Sequence, residues 1–321
     1  MSGMLGTFEG AVAQGVLWAV MVLGVYITYK ILDIADLTVD GSFSLGGCTC
    51  AALLFQGINP ILALFFGFLA GLAAGAVTGI LHTLFEIPAI LAGILTQISL
   101  WPINYKIMDK ANQSISQDKN RNEIKNIFMR FQELTGLELK EATLVLGLII
   151  AIVIILILYW FFGTELGSSI RATGNNPDMI RALGVNIKIT KLLTLMLSNG
   201  LVALSGALVA QNHKYGDINM GTGAIVIGLA AIVIGEVLLG WIKNFGGKLF
   251  ATVLGSSIYF LIRAIVLELD LGTVGTNWMK LISAVIIAVA MAVPVISKKI
   301  KTRRMYAESV EEDMVKEEMK C

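Results

Sequence analysis

The chain alternates between long apolar stretches and short polar ones. A bilayer-spanning α-helix needs about 20 predominantly apolar residues. The stretches that approach this requirement are 10–30, 43–55, 61–84, 88–105, 142–162, 192–210, 224–239, 249–267 and 281–296. The pattern predicts an all-α polytopic membrane protein with eight or nine transmembrane helices. Because the second stretch is short, we expect a broken second helix that begins inside the membrane after an irregular segment.

The composition agrees with a bilayer environment. Hydrophobic residues make up 56% of the 321 residues and charged residues 15%, whereas soluble domains contain about 45–50% and about 25%. The formal net charge of +1 gives no electrostatic reason to expect a nucleic-acid partner.

The distribution of Lys and Arg predicts which loops face the cytoplasm. Five of them lie between 298 and 304, after the last apolar stretch, so we expect a membrane domain at 1–297 and a charged cytoplasmic tail at 298–321. With nine crossings, 163–191 is a cytoplasmic loop and 106–141 an extracytoplasmic cap loop. The cap loop contains seven Lys or Arg, which would favour a cytoplasmic location. We give this less weight because segment 122–134 has the pattern of a short amphipathic helix, so the loop resembles a small folded cap.

Two parts of the chain resemble one another. Segments 10–46 and 192–228 each begin as an apolar helix and end in a polar, glycine-containing hinge. If the two run in opposite directions, they form an inverted-topology repeat, a common plan in transporters. Chance similarity between glycine-rich linkers is the alternative.

Glycines recur at intervals of four in 67–79, namely at Gly67, Gly71, Gly75 and Gly79. Such spacing creates a small-residue face that permits close helix packing. The face could form a dimer seam or an internal contact, and we expect an internal contact.

Polar residues inside apolar stretches are costly in a bilayer, so they point to function or to helix packing. Candidates for lining a substrate path are Asp36, Asp40, Ser42, Ser44, Thr96, Gln97, Asn104 and Asn199. Interhelical hydrogen bonding is the alternative, and it is the preferred interpretation for Ser198 and Asn199. Glu236 is expected to extend toward the interface near Lys243.

Catalytic and metal-binding patterns are absent from the sequence. There is no G-x-x-x-x-G-K-[ST] phosphate loop, no zinc-ligand spacing and no G-x-S-x-G turn. Cys48 and Cys50 have no second ligand cluster, so we interpret them as packing residues. We therefore predict no enzyme active site and no cofactor on this chain.

The loop 163–191 is expected to contain a short helix. Asn176 can cap it, Pro177 suits its first turn, and Gly184 suits its end. The helix would expose Met179, Ile180 and Leu183 beside Arg181. Such a helix can insert into a partner's groove, or it can merely cover the membrane surface.

Particular segments resemble a known family. "GSSIRATGNNPDMIRALGVNI" resembles the coupling loop of ABC-transporter permeases in the branched-chain amino acid and ribose importer superfamily, and "DLTVDGSF" resembles their hinge. "ILDIADLTVDGSFSLGG" and "LAGILTQISLWPINYKIM" are most similar to the permeases of tryptophan/tyrosine-type uptake. The resemblance extends over roughly 10–296.

This resemblance implies a permease subunit in the bacterial cytoplasmic membrane. It implies an importer for a small solute such as tryptophan or tyrosine, with a second permease copy, ABC-type ATPase subunits that bind ATP and Mg, and an extracytoplasmic substrate-binding protein. With the exposed apolar residues of the short helix, the ATPase-coupling element would comprise Arg171, Gly174, Asn175, Pro177, Met179, Arg181, Leu183 and Gly184. A secondary transporter driven by an ion gradient is the alternative.

Overall fold

The computed structural model describes residues 2–117, 119–120, 122–242 and 244–268, together with residues 285, 288 and 292. The predicted span 281–296 and tail 298–321 therefore fall mostly or wholly outside the described residues. The described helices are α1 (Ser2–Tyr26), α2 (Val39–Phe55), α3 (Pro60–Thr83), α4 (Ala89–Met108), α5 (Ile127–Thr135), α6 (Leu139–Gly163), α7 (Glu165–Asn175), α8 (Pro177–Ala182), α9 (Ile187–His213), α10 (Ala224–Leu238) and α11 (Phe245–Glu268). Two short strands, β1 (Asn112–Ser114) and β2 (Tyr215–Asp217), pair antiparallel.

The all-α polytopic architecture is confirmed. Among the described residues, five helical stretches are long and apolar enough to cross a membrane: Gly6–Ile31, Pro60–Thr83, Leu139–Gly163, Ile187–His213 and Phe245–Ile265. The apolar helices α2 and α10 are shorter, as expected for helices that begin after a hinge. α4 adds a further helix of 20 residues.

The second helix is preceded by a break, but it begins earlier than predicted. α1 continues through a π-helical turn, Ile27–Ile31, and the chain is then irregular until α2 begins at Val39 rather than at Phe43. The backbone N–H of Thr38 donates to Asp36 Oδ1 at 2.9 Å, which satisfies one backbone donor just before the helix. The polar start of α2 is buried in protein, where irregular backbone at membrane depth is tolerated.

Helix α9 lies at the centre of the described core. Its residues from Ser198 to Gln211 are almost all buried, and it packs against α1, α2 and α3. The α3 glycines lie directly against it, since a Cβ at Gly71 would collide with the backbone of Asn199 and one at Gly75 with the carbonyl of Leu195. The predicted internal packing of this glycine face is confirmed.

Contacts with α9 give the relative directions of the first two helices. α1 is antiparallel to α9, because Gly24 O accepts from Ser198 Oγ while Leu17 O accepts from Ser205 Oγ. α2 is parallel to α9, because Ser42 bonds Asn199 and Cys50 bonds Gln211 further along both helices.

Contacts with α1 give the direction of α10. Gly228 lies against Val25, and Glu236 pairs with Lys30, so α10 is parallel to α1. Consequently α1 and α9 point in opposite directions, and so do α2 and α10. These are the directions that an inverted repeat of the two helix–hinge–helix units requires.

The loops fall on two sides of the helices. One side carries 56–59, 214–223 and the described residues of 109–138, and we call it the strand side because β1 and β2 lie there. The other carries 84–88, 164–186 and 239–244, and we call it the short-helix side because α7 and α8 lie there.

The insert on the strand side is anchored to α9. Asn126 Nδ2 donates to Gln211 O at 2.8 Å, and Ile127 N donates to Gln211 Oε1 at 3.0 Å. The predicted amphipathic helix at 122–134 is wrong at its start, since α5 begins at Ile127. Asn126 caps it by accepting from Met129 N, which fixes the first helical residue there.

Candidate functional site

The predicted path residues divide into two groups. One group forms a buried network between the hinge and α9. Asn199 donates to Asp36 Oδ2 at 2.6 Å and accepts from Ser42 Oγ at 2.7 Å, and its amide also donates to Leu195 O at 3.0 Å. All three side chains of this Asp36–Asn199–Ser42 network are buried. Their polar atoms hold helices together, as the interhelical alternative for Asn199 anticipated.

The hydroxyls of Thr96 and Ser198 are also hydrogen-bonded to backbone carbonyls. The hydroxyl of Thr96 donates to Ala92 O in its own helix at 3.0 Å, and that of Ser198 donates across to Gly24 O at 2.7 Å. The predicted interhelical role of Ser198 is confirmed.

The second group surrounds the start of α10. Asp40 accepts from Gly223 N at 2.8 Å and from Ile225 N at 2.9 Å, while Ser44 Oγ accepts from Gly221 N at 2.9 Å. A carboxylate at a helix N-terminus satisfies free backbone donors and complements the helix dipole. Asp40 therefore joins the first turn of α2 to the start of α10.

Beside this cap lies a cavity of about 460 Å³, which we call the hinge cavity. Its lining includes four of the predicted path residues: Asp40, Ser44, Gln97 and Asn104. Among the lining residues that sequence reasoning missed, three carry polar side-chain groups, namely Trp101, Asn219 and Thr222. The indole N–H of Trp101 donates to Asn219 Oδ1 at 3.4 Å. No signal in the sequence pairs these positions, because they come from α4 and from the hinge before α10.

Asn104 has an unsatisfied acceptor in this cavity. Its side chain is only 1% exposed, and its Oδ1 has no hydrogen-bond partner within the described residues. Buried polar atoms are nearly always paired, so an unpaired one calls for a specific explanation. Asn104 also lines the hinge cavity, although its Oδ1 is itself shielded from solvent.

The short helix predicted in loop 163–191 is confirmed as α8. Asn176 accepts from Met179 N at 3.1 Å, and Pro177 occupies the first turn. Gly184 adopts φ of +82° just after the helix end, a conformation that favours glycine. Sequence analysis missed α7. Its cap is Thr164, whose Oγ1 accepts from Gly167 N at 3.3 Å, and this threonine does not stand out after the apolar stretch of α6.

The exposed face of α8 differs in one residue from the prediction. Met179 and Leu183 are 55% and 68% exposed, and Arg181 is also exposed. Ile180, predicted to be displayed with them, is buried. Its burial anchors this six-residue helix against the rest of the protein.

The other predicted coupling residues belong to α7 and contact the membrane helices. A Cβ at Gly174 would collide with the carbonyl of Ile31, and the Arg171 guanidinium lies 5.5 Å from the ring centre of Phe245. Thr173 and Thr190 hydroxyls lie 3.3 Å apart. α7 therefore packs on the end of α1, while α8 points outward.

A further charged residue, Glu236, pairs with Lys30 at 2.9 Å. Lys243, near which Glu236 was expected to lie, falls outside the described residues. The parallel packing of α10 beside α1 brings the two side chains to the same depth. Within the part of the chain that the structure describes, no cluster of three or more His, Cys, Asp or Glu could hold a metal ion.

Comparisons with known proteins identify relatives over nearly the whole chain. A family model described as "Branched-chain amino acid transport system / permease component" matches residues 7–291. The tyrosine transport system permease protein of Clostridioides difficile (strain R20291) is 38% identical over 292 residues, which cover 91% of each chain. An uncharacterized protein of Rickettsia prowazekii (strain Madrid E) is 32% identical over 88% of this chain and 95% of its own.

More distant similarity extends to sugar transport. The ribose import permease protein of Escherichia coli (strain K12) is 24% identical over 86% of this chain and 81% of its own length. No solved structure matches the chain. The family match and the two closer relatives each cover most of the sequence. The chain belongs to the family of permease components of branched-chain amino acid transport systems.

Proposed function

We propose that this chain is the membrane-spanning subunit of an ATP-driven importer that carries an amino acid of the tyrosine class. The family and the C. difficile relative support this assignment. In this proposal the short-helix side and the C-terminus face the cytoplasm of a bacterium, and the strand side faces outward. The partners are a second permease copy, ATPase subunits that bind ATP and Mg, and an extracytoplasmic binding protein.

The observation that carries the proposal is the exposed face of α8. A cap at Asn176, a buried Ile180 and a glycine at 184 hold this helix in a defined orientation. Its solvent-exposed Met179 and Leu183 flank Arg181, and such a mixed apolar and basic surface suits the groove of a partner protein.

The packing of α7 supports a route from α8 to the substrate path. The backbone of Gly174 lies against Ile31, one residue before the irregular segment that leads to α2. Force applied to α8 would therefore reach the hinge through contiguous packed elements. Packed contacts of this kind can transmit coupling when the hinge has two arrangements.

The hinge cavity supports the assignment of cargo. Its volume of about 460 Å³ lies within the range of about 300–1,000 Å³ typical of small-molecule sites. In this proposal the Asn104 side chain turns toward a bound amino acid, so that its unpaired Oδ1 accepts from the ammonium group. The exposed Trp101 ring offers an apolar surface to an aromatic side chain. We assign the path to Asp40, Ser44, Gln97 and Asn104.

Affinity purification of the tagged full chain from its own bacterium tests the ATPase contact. We expect an ABC-type ATPase to copurify with the native chain and to be lost with Arg181→Glu. The matched control is Arg130→Glu, which reverses an exposed charge on α5 at the strand side and should retain the ATPase. Failure of the native chain to recover any ATPase in several mild detergents contradicts the proposal.

A specific observation favours a second candidate, the ion-gradient-driven transporter. Asp36 is a buried carboxylate at membrane depth, and such residues often bind a coupling ion or proton. The two candidates separate in cells that are depleted of ATP but retain an imposed ion gradient. Uptake that persists under those conditions favours the secondary transporter, and uptake that stops favours the ATP-driven importer.

A further inference from the structure

A second cavity on the short-helix side has a strongly basic lining. It measures about 850 Å³ and lies between the end of α1, α7 and the start of α11. We call it the basic cleft and define it by Lys30, Arg171 and Lys248, with Asp33 as the one acidic residue among the described residues that line it. Its lining shares no residue with the hinge cavity, although Arg171 and Gly174 also belong to the predicted coupling element.

Two of the three cations that define the basic cleft lack an ion-pair partner among the described residues. Lys30 is paired with Glu236 at 2.9 Å. Arg171 and Lys248 have no carboxylate within 4.0 Å in the part of the chain that the structure describes. Both side chains are exposed, so an anion can approach them without first breaking an ion pair.

An aromatic wall connects the cleft with the outer surface of α6. The Arg171 guanidinium lies over Phe245, whose ring centre is 5.3 Å from that of Phe162. A neighbouring cavity of about 590 Å³ shares Arg171 and Phe245 with the basic cleft and is also lined by Tyr159. Tyr159 is 59% exposed. Cationic and apolar surfaces are thus continuous at the end of an outward-facing apolar helix.

We propose that the basic cleft binds the phosphate of an anionic phospholipid, with the acyl chains lying along α6. The bound chemistry is a phosphate anion held by Arg171 and Lys248. Basic pockets between transmembrane helices are suited to anionic headgroups, and an outward apolar surface beside the cleft distinguishes a lipid from a soluble phosphate. Exposed apolar residues of α6 provide that surface, among them Leu156 and Ile157.

Native mass spectrometry of the full chain tests this site. The chain is released from nanodiscs that contain phosphatidylglycerol and phosphatidylcholine, and the bound lipid is quantified. The test variant is Arg171→Gln/Lys248→Gln. The control, Arg181→Gln/Lys188→Gln, removes the same residue types from the same side but from outside the cleft.

We expect preferential retention of phosphatidylglycerol by the native chain and by the control. The test variant should bind it about 30-fold more weakly, since each Lys or Arg near an anionic membrane surface contributes roughly a fivefold factor. Equal loss in both variants, or no preference over phosphatidylcholine in the native chain, overturns the proposal. Displacement of the lipid by millimolar inorganic phosphate also overturns it, because the site would then be one for a soluble anion.

Discussion

The Asp36–Asn199–Ser42 network and the hinge cavity are both polar regions among apolar helices, yet they differ in one decisive respect. In the network, Asn199 uses both its amide and its carbonyl group in hydrogen bonds to neighbours. In the cavity, Asn104 Oδ1 has no partner among the described residues. Both side chains are buried to a similar extent, so burial alone does not separate a packing residue from a binding residue.

The difference shows that hydrogen-bond satisfaction, rather than burial, separates a buried polar residue that packs helices from one that binds cargo. A satisfied buried polar group contributes to stability, and removal of its partner leaves a costly unpaired atom. An unsatisfied one gives no such contribution and can be replaced with little loss of stability. Substitutions at the two asparagines should therefore have opposite signatures, one in folding and one in transport.

Asn199→Leu has the largest expected effect on stability. It leaves the Asp36 carboxylate and the Ser42 hydroxyl without their partner in a buried site, which should cost about 3 kcal/mol of unfolding free energy. Thermal unfolding of the purified chain in detergent measures the loss. Asn104→Leu is the matched substitution and should change the unfolding free energy by less than about 1 kcal/mol. Equal destabilisation by the two variants would contradict the distinction between a satisfied Asn199 and an unsatisfied Asn104.

Asn104→Leu should instead impair transport. Loss of one hydrogen bond to the cargo is expected to raise the KM for tyrosine uptake roughly tenfold. Uptake of radiolabelled tyrosine by cells that express the native or variant chain measures this value. Ser99→Ala on the same helix is the control, because its hydroxyl is exposed and bonds only Leu95 O in its own helix. An unchanged KM in Asn104→Leu removes Asn104 from the path.

The sequence was sufficient to predict the long apolar helices and both ends of α8, although it did not reveal α7. Apolar stretches of about 20 residues identify spans by themselves, and the α8 ends follow from local signals at Asn176, Pro177 and Gly184. The glycine face of α3 was also predictable, because its four-residue spacing shows on one helix without knowledge of the partner helix.

Long-range pairing was not predictable from the sequence. Asn199 meets Asp36 across 163 positions, and Lys30 meets Glu236 across 206, so only the assembled fold reveals which polar groups are paired. Residues 122–126 followed the helical pattern, but the Asn126 cap moved the helix start to Ile127. Ile180 looked like a displayed residue because a six-residue helix has too few turns to show which face is buried.

Asp40 combines the properties of Asn199 and Asn104, because its carboxylate caps α10 and also lines the hinge cavity. Asp40→Ala removes the cap and should cost about 1–2 kcal/mol of unfolding free energy. Asp40→Asn keeps an acceptor but removes the charge, so it should cost about half as much. Thermal unfolding in detergent compares the two variants. If both variants lose as much as Asn199→Leu, Asp40 belongs with the buried network rather than with the helix cap.

The smallest expected effect concerns the pair of Lys30 and Glu236, which are charged but only partly shielded. Their side chains are 34% and 43% exposed, so solvent weakens the attraction, and such pairs contribute about 0.2–1 kcal/mol. A double-mutant cycle with Lys30→Met and Glu236→Gln isolates the coupling between them. We expect the cycle to give less than about 1 kcal/mol, well below the loss caused by Asn199→Leu. A coupling of about 3 kcal/mol would show instead that this charged pair is as isolated from solvent as the Asp36 network.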